Sequence, residues 1–482
     1  MNVAAAVDHA PGLERAFGRP PEERAYRLRP SAIDGPLPVH LRGTWYLNGP
    51  ARFERGGRRY RHWLDGDGML AALRFDDDGV QARTRFVRGA KQRDEEAAGC
   101  ALYRTFGTAF PGDRLLHGVA LASPLNVSAL PFAGRLLAFG EQGLPYEVDP
   151  ETLETRGQYT FSGALNGVSP FAAHPKLDPA TGELWNFGVA FASSRPCLNV
   201  YRFAPEGRLL ERRRVPLAQA VSLHDFALAP RHLLFYLAPY RLDVEALVAG
   251  GSSLLDALVF EPRRGAELLI VPRDPQAPPL RVALGAGYSL HTLNAFEDLA
   301  AGTLTLDCLE LERPVYDQYQ PLPDLFSEVG PGVPVRLTVD LRDGTLRERR
   351  AVDYALAPDF AVIDPRLRGR AADDFWMLGI AAAGRPGRKF FDQLVHARWS
   401  APRALDVWTA PAGQYLAGEP LLVPDRREHA AGTLLVPLWD SRREESALLL
   451  FDPREVAAGP RTRLRLESPL HLGFHTAFAR RD

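Results

Sequence analysis

Cysteine is scarce, with Cys100, Cys197 and Cys308 the only three in 482 residues, odd in number and far apart. That set offers no CxxC pair, excludes a disulfide-stapled scaffold and suits a reducing compartment, so the cytoplasm is the expected location. Excess charge of either sign is also missing: 58 Lys+Arg face 59 Asp+Glu. No basic field is available to draw in a phosphate backbone, which argues against nucleic acid as a partner. Nowhere do 18 apolar residues run without a charge, so no helix is expected to span a bilayer. The opening "MNVAAAVDHAPGLERAFG" has neither the basic start nor the apolar stretch of a secretory signal. Gly/Ser-rich linkers and long helical patterns are absent too.

What is present is globular and β-rich. The chain is 46% hydrophobic and 24% charged, and a core of generous size can be buried at this length. Its 42 Gly and 41 Pro are spread from end to end, and short apolar runs alternate with turn signals, the pattern of an all-β fold. One turn type returns between strand-like runs, in "RFDDDGV", "EVDPETLE", "KLDPATGELW", "RFAPEGRL", "VFEPRRGAEL", "VDLRDGTL" and "LFDPREV". An Asp or Pro followed by Gly or Thr joins adjacent antiparallel strands. Such repetition suggests a sheet meander like that of a β-propeller, although the spacing is too irregular for a WD40 or kelch period. Two packed β-sandwich domains are the alternative, and the missing linker weighs against them. The apolar stretch Leu242 to Phe260 reads either as a buried insertion or as an exposed lip.

Among the twelve histidines, His9, His232, His396 and His429 stand beside charged residues and read as surface. Three others lie among strand-forming residues, His174 in "FAAHPKLD", His224 in "VSLHDFAL" and His291 in "YSLHTLNAFE". His475, in the terminal "LGFHTAFA", has the same setting. The innermost strands of propeller blades converge on one axis, so histidines far apart in sequence can meet there. Four neutral imidazoles indicate a metal without naming it, since Fe, Zn, Cu and Ni all accept such nitrogen. A metal-bound imidazole donates its other N–H to a carboxylate or carbonyl. Glu141 in "LLAFGEQGLPYEVD" and Glu419 in "YLAGEPLLVP", each an isolated acid in a glycine-bearing turn, are the candidates for that role.

Six segments together resemble a known family: "YLNGPARFERGGRRYRHWLDGDGMLAALRF", "HPKLDPATGELWNFG", "LHDFALAPRHLLFY", "HTLNAFED", "YLAGEPLLVP" and "GFHTAF". In this order they are similar to the motifs of the carotenoid cleavage oxygenases. The resemblance covers the chain from about residue 35 onward and implies an N-terminal arm, residues 1–34, followed by one catalytic domain, residues 35–482. That domain is expected to be a seven-bladed β-propeller with loops and short helices capping one face. The resemblance further implies a mononuclear non-haem Fe(2+) held by His174, His224, His291 and His475, with His471 outside the ligand set. Glu141 and Glu419 fall on two of the family's three supporting glutamates. Asp359, ahead of "VIDPRLRGR", aligns with the third and is one methylene shorter, with Ala361 where the family pattern has proline.

The implied reaction is oxidative cleavage of a carbon–carbon double bond by O2, giving two carbonyl products from an apocarotenoid or carotenoid. Stilbene-cleaving members resemble one another in a lysine before the first glutamate and an upstream tyrosine. Here those positions hold Gly140 and Ala109, which favours a hydrophobic polyene over a phenolic stilbene. A stilbene-cleaving dioxygenase of the same family and a propeller that binds without catalysing are the two alternatives. No protein partner is expected, and peripheral membrane contact is expected through residues 242–260.

Overall fold

The hairpin turns set the architecture. In "RFDDDGV" the strand Asp67–Asp76 reverses into Gly79–Phe86 with Asp76 opposite Gly79. The turn closes because Asp76 Oδ1 accepts the Asp78 N–H at 3.0 Å and Gly79 takes φ +115°. The second strand alternates half-buried and buried residues along its length, as a strand with one face on a core must. Residues 8–481 are described in the computed structural model, apart from 19, 117–119, 142, 192–194 and 428–431.

Seven antiparallel sheets of this kind form the blades of a β-propeller. The first contains Gly43–Arg52, Asp67–Asp76 and Gly79–Phe86. Five blades of four strands follow in chain order, beginning at Ser128–Phe132, Lys176–Leu177, Ala227–Leu228, Tyr288–Asp298 and Asp359–Val362. The last blade is built on Gly432–Asp440, Glu445–Phe451 and Thr462–Arg465. Two α-helices, Ala90–Ala98 and Val244–Val248, lie outside the sheets.

The ring is closed by the two ends of the chain. C-terminal Thr476–Arg480 pairs antiparallel with Gly43–Arg52, so the last strand becomes the inner edge of the first blade. The segment expected as an N-terminal arm is stitched to two blades: Arg24–Arg27 pairs with Gly79–Phe86, and Ile33–Asp34 with Thr462–Arg465. Leu13 and Phe17, in the same segment, are buried in the main core. The expected seven-bladed propeller is therefore found. The surface reading of histidines needs one correction, because His396 is buried and bonds Asp374 at 2.7 Å. His232 is half-buried against Glu297, and His429 lies outside the described residues.

The stretch Leu242 to Phe260 is an insertion in the fourth blade. Tyr240–Leu242 and Leu258–Phe260 pair as a hairpin around the helix Val244–Val248, whose N-terminus is capped by Asp243 accepting the Ala246 N–H at 3.0 Å. Leu242, Leu247, Leu254 and Ala257 are buried, while Val248 and Val259 are each 39% exposed. No helix among the described residues is long and apolar enough to cross a membrane.

A buried charged cluster gathers around the helix Ala90–Ala98. Lys91 Nζ bonds Asp67 Oδ1 at 2.8 Å and Glu95 Oε2 at 2.9 Å, and Arg55 also pairs with Asp67. Glu95 Oε1 accepts the N–H groups of Leu102 and Tyr103, which fixes the loop that follows the helix. Removing one partner of such a cluster leaves buried charge uncompensated. Lys91→Met is therefore expected to lower stability by about 3–5 kcal/mol, read as a shift of the denaturant midpoint at unchanged slope.

Candidate metal centre

The four histidines enter the axis from inner strands of different blades. His174 lies two residues before Lys176–Leu177, His224 three before Ala227–Leu228, and His475 directly before Thr476–Arg480. His291 sits inside Tyr288–Asp298, where the pairing with Thr303–Leu311 slips between Ser289 and Thr292. A bulge of this kind re-aims a side chain, and here it turns His291 toward the axis. The chain terminus does not fray at His475. Phe474 N donates to Asn48 O at 2.8 Å, Glu419 N to Phe474 O at 2.8 Å, and Asn48 N to His475 O at 3.1 Å.

The four rings bring one ligand atom each within 4.8 Å of all the others, and every ring is buried. His174 Nε2 lies 2.8 Å from His224 Nε2, which is 3.1 Å from His291 Nε2. Two nitrogens bound to one ion at about 2.1 Å and at right angles stand ~3 Å apart, so the spacing fits a shared cation. The outer edges of the rings decide between that and mutual hydrogen bonding. His224 Nδ1 is 2.8 Å from Glu141 Oε1, His291 Nδ1 is 2.5 Å from Asp359 Oδ1, and His475 Nδ1 is 3.3 Å from Glu419 Oε1. An Nδ1–H donated outward leaves a lone pair on Nε2 of the neutral ring. Those lone pairs face each other and repel unless a cation stands between them.

The electrostatics agree. Burial, reinforced by the other three rings, holds His174 well below the usual histidine range, so it stays neutral and available as a ligand. Burial also lowers His475, against the opposing pull of Glu419. At His291 burial acts downward, and Asp359 overcomes it and raises the pKa. A proton there can take the place of the cation in metal-free protein.

All three acids expected from the sequence stand against histidines, and His174 alone of the four has no carboxylate beside it among the described residues. The shorter Asp359 reaches its ring from an irregular stretch of backbone, with φ +48° at Ala357 and +50° at Phe360. Such angles are costly for side chains of this kind. His471 is separate from the group, buried with no partner on either ring nitrogen among the described residues.

Asp225 escaped the sequence reading. Its carboxylate bonds Lys176 Nζ at 2.8 Å, Thr292 N at 2.9 Å and Thr292 Oγ1 at 2.8 Å. One acid beside His224 thus ties down the segments that carry His174 and His291. The only signal for it was its position next to a histidine.

The rings separate two unlike spaces. On one side a chamber of about 160 Å³ is lined by Lys176, Asp225, Thr292, Asn294, Arg368 and Glu419. On the other a small chamber of about 30 Å³ is walled by His62, Trp63, Tyr316, Tyr319, Phe360 and Phe474. Beyond it, a cavity of about 400 Å³ runs under Leu242, Leu247 and Leu254, with Phe106, Phe171 and Glu141 on its walls. Glu141 and Leu254 also line a small void next to Leu64, which places the apolar route beside the histidines. The site can hold a metal between a polar chamber and an apolar one.

The chain is similar to several known proteins over nearly its whole length. The family sequence model described as retinal pigment epithelial membrane protein matches residues 18–480. The chain is 28% identical to an apocarotenoid-15,15'-oxygenase of Synechocystis, over 96% of this chain and 95% of that one. It is 26% identical to an isoeugenol monooxygenase of Pseudomonas nitroreducens (92% and 93% covered) and 27% identical to a lignostilbene-alpha,beta-dioxygenase isozyme of Sphingomonas paucimobilis (93% and 93%). The crystal structure of cobalt-substituted Synechocystis apocarotenoid oxygenase superposes with a TM-score of 0.86 at 26% identity, covering 98% of both chains.

The contact between Asp359 and His291 yields a direct test. Asp359→Ala should lower metal affinity about 10- to 100-fold, the usual effect of losing a carboxylate behind a ligand, and Asp359→Asn should be milder. Asp364→Ala, on a carboxylate that caps the turn at Arg366, should leave the metal in place. Metal analysis of the three purified variants after dialysis checks the difference.

Proposed function

Because the chain belongs to the carotenoid cleavage oxygenase family, we propose that it is an Fe(2+)-dependent dioxygenase that splits a carbon–carbon double bond of an apocarotenoid or carotenoid. One observation carries the reading: four buried imidazole nitrogens converge on one point, and three of the rings face carboxylates on their outer edges. That donor set is neutral, rich in nitrogen and free of thiolate, which suits ferrous iron among the imidazole-binding metals. Bound iron would supply the electron that lets O2 react with a closed-shell alkene.

The balance is simple. The alkene C=C and the O=O bonds break, two C=O bonds form, and both oxygen atoms end in the two products, so no external reductant is required. The protein's own part is positioning. Glu141, Asp359 and Glu419 hold three rings in the tautomer that presents Nε2, and Asp225 fixes the segments around them. The aromatic walls of the small chamber exclude water and offer flat faces to a conjugated chain.

Support for a polyene over a phenolic stilbene comes from two positions. A Cβ at Gly140 would lie 2.0 Å from Ser123 Oγ, so a lysine there would require that side chain to turn away. Ala109 offers no phenol-binding hydroxyl. The large cavity is apolar, and two of its lining residues, Val168 and Val248, are 61% and 39% exposed. A mouth of this character supports uptake of a water-insoluble substrate from a membrane surface.

Three experiments test this reading. His475→Ala should abolish stoichiometric iron and cleavage while leaving the propeller folded by circular dichroism, and iron retained at one per chain would remove the four-histidine assignment. Iron-loaded protein offered apocarotenals, carotenoids and hydroxystilbenes should release aldehydes from the polyenes, identified by mass. Cleavage of hydroxystilbenes alone would move the assignment to the stilbene oxygenases, and iron without any turnover would favour a binding protein. Sedimentation with liposomes, little affected by salt, should accompany the apolar mouth, and protein left in the supernatant with neutral and anionic vesicles alike would exclude it.

A further inference from the structure

His62 holds an unused hydrogen-bond donor beside the four histidines. Its position is over-determined. The side chain caps the short 3-10 turn Trp63–Asp65, with Nδ1 accepting the Leu64 N–H at 3.0 Å. Its own N–H donates to Asp65 Oδ2 at 3.0 Å, and Asp65 is in turn bound by Gly107 N at 2.7 Å and Thr108 Oγ1 at 2.7 Å. Gly107 packs so closely that an added Cβ would sit 2.4 Å from His62 Cβ. Phe106 and Tyr319 flank the imidazole, with ring centroids 4.8 and 5.0 Å away.

These contacts fix the protonation state. Burial, assisted by Arg61, pulls the pKa down to about 3, so the ring is neutral. A neutral ring whose Nδ1 accepts must carry its proton on Nε2. Nε2 is buried, and nothing among the described residues partners it. The residue is 2% exposed and lines the same chamber of about 30 Å³ as His224, His291 and His475. An orphaned donor in a dry site is costly to keep, and a ligand that brings an acceptor recovers that cost.

We propose that His62 is a specificity-determining residue that donates its Nε2–H to the carbonyl oxygen of a conjugated aldehyde whose polar end reaches into this chamber. The proposal rests on the reading that the chamber receives an organic substrate. The aldehyde has two sources, the polar end of an intact apocarotenal or the carbonyl newly formed on a scissile carbon, and both present the same acceptor. His62 transfers no proton in either case, since its neutral form is the donor and its second nitrogen is occupied.

Two substitutions separate the ring's two nitrogens. His62→Asn puts an amide oxygen where Nδ1 stood, keeping the cap on Leu64 and deleting the donor. His62→Gln can place an amide N–H near the Nε2 position while losing the cap. The readout is equilibrium binding to metal-free protein, followed by quenching of tryptophan fluorescence. The ligands are an apocarotenal, a short conjugated aldehyde of the size a cleavage product would have, and hydrocarbon polyenes of matching length.

Wild-type protein should prefer an aldehyde over its hydrocarbon partner. His62→Asn should lose about 10-fold of that preference, the scale of one hydrogen bond in a dry site, and His62→Gln should keep most of it. Preference for the long aldehyde alone identifies the substrate's own carbonyl as the acceptor, and preference for the short one alone identifies the product's. No aldehyde preference in wild type, or the same preference in His62→Asn, overturns the proposal. So does a ¹⁵N-histidine spectrum showing the His62 proton on Nδ1. Iron-dependent release of aldehydes from polyenes would stand untouched by those results, so failure here is separable from failure of the dioxygenase reading.

Discussion

The structure depends on one electrostatic constraint: imidazole lone pairs aimed at a single point repel one another. His174, His224 and His291 bring their Nε2 atoms to 2.8 and 3.1 Å along the chain of contacts, and three of the four rings direct Nδ1 at a carboxylate. Rings left to themselves would turn away from this arrangement. The outer acids hold them in place, and a propeller supplies the rigid frame because each ring rides on a different blade. Closure of the first blade by the final strand then becomes a requirement of the site, since His475 is carried at that seam.

The same constraint explains the contrast between the two sides of the centre. Polar groups gather on one side, where Asp225 and Lys176 lock the histidine segments together. Aromatic and aliphatic groups face the other, where the ring edge of His62 is a buried donor with no partner among the described residues. A site so divided presents a polar wall on one side of the rings and an apolar one on the other.

The sequence carried a large share of this, in uneven fashion. Alternating apolar runs with Asp-Gly and Pro turns identify an all-β meander, but the seven recurring turns do not number the blades. "KLDPATGELW" and "RFAPEGRL" both belong to the blade that begins at Lys176–Leu177, and none falls in the blade that begins at Asp359–Val362. The count of seven came from the family resemblance. Histidines set singly among strand residues were legible as a group, because surface histidines keep charged neighbours, although His396 keeps them too and is buried. Asp359 was legible by alignment alone, since no local pattern announces its contact with a ring 68 residues away. Asp225 and His62 were not legible as functional residues. Both are ordinary in sequence and act through partners 67 and 2 residues away, the second through a tautomer that only the three-dimensional hydrogen bonds define.

X-ray absorption at the iron edge of the metal-loaded protein tests the central claim most directly. The account predicts a ligand shell of four imidazole nitrogens with no protein carboxylate in it, the acids remaining one bond beyond. A shell containing a directly bound carboxylate, or one with fewer than four imidazoles, would contradict it.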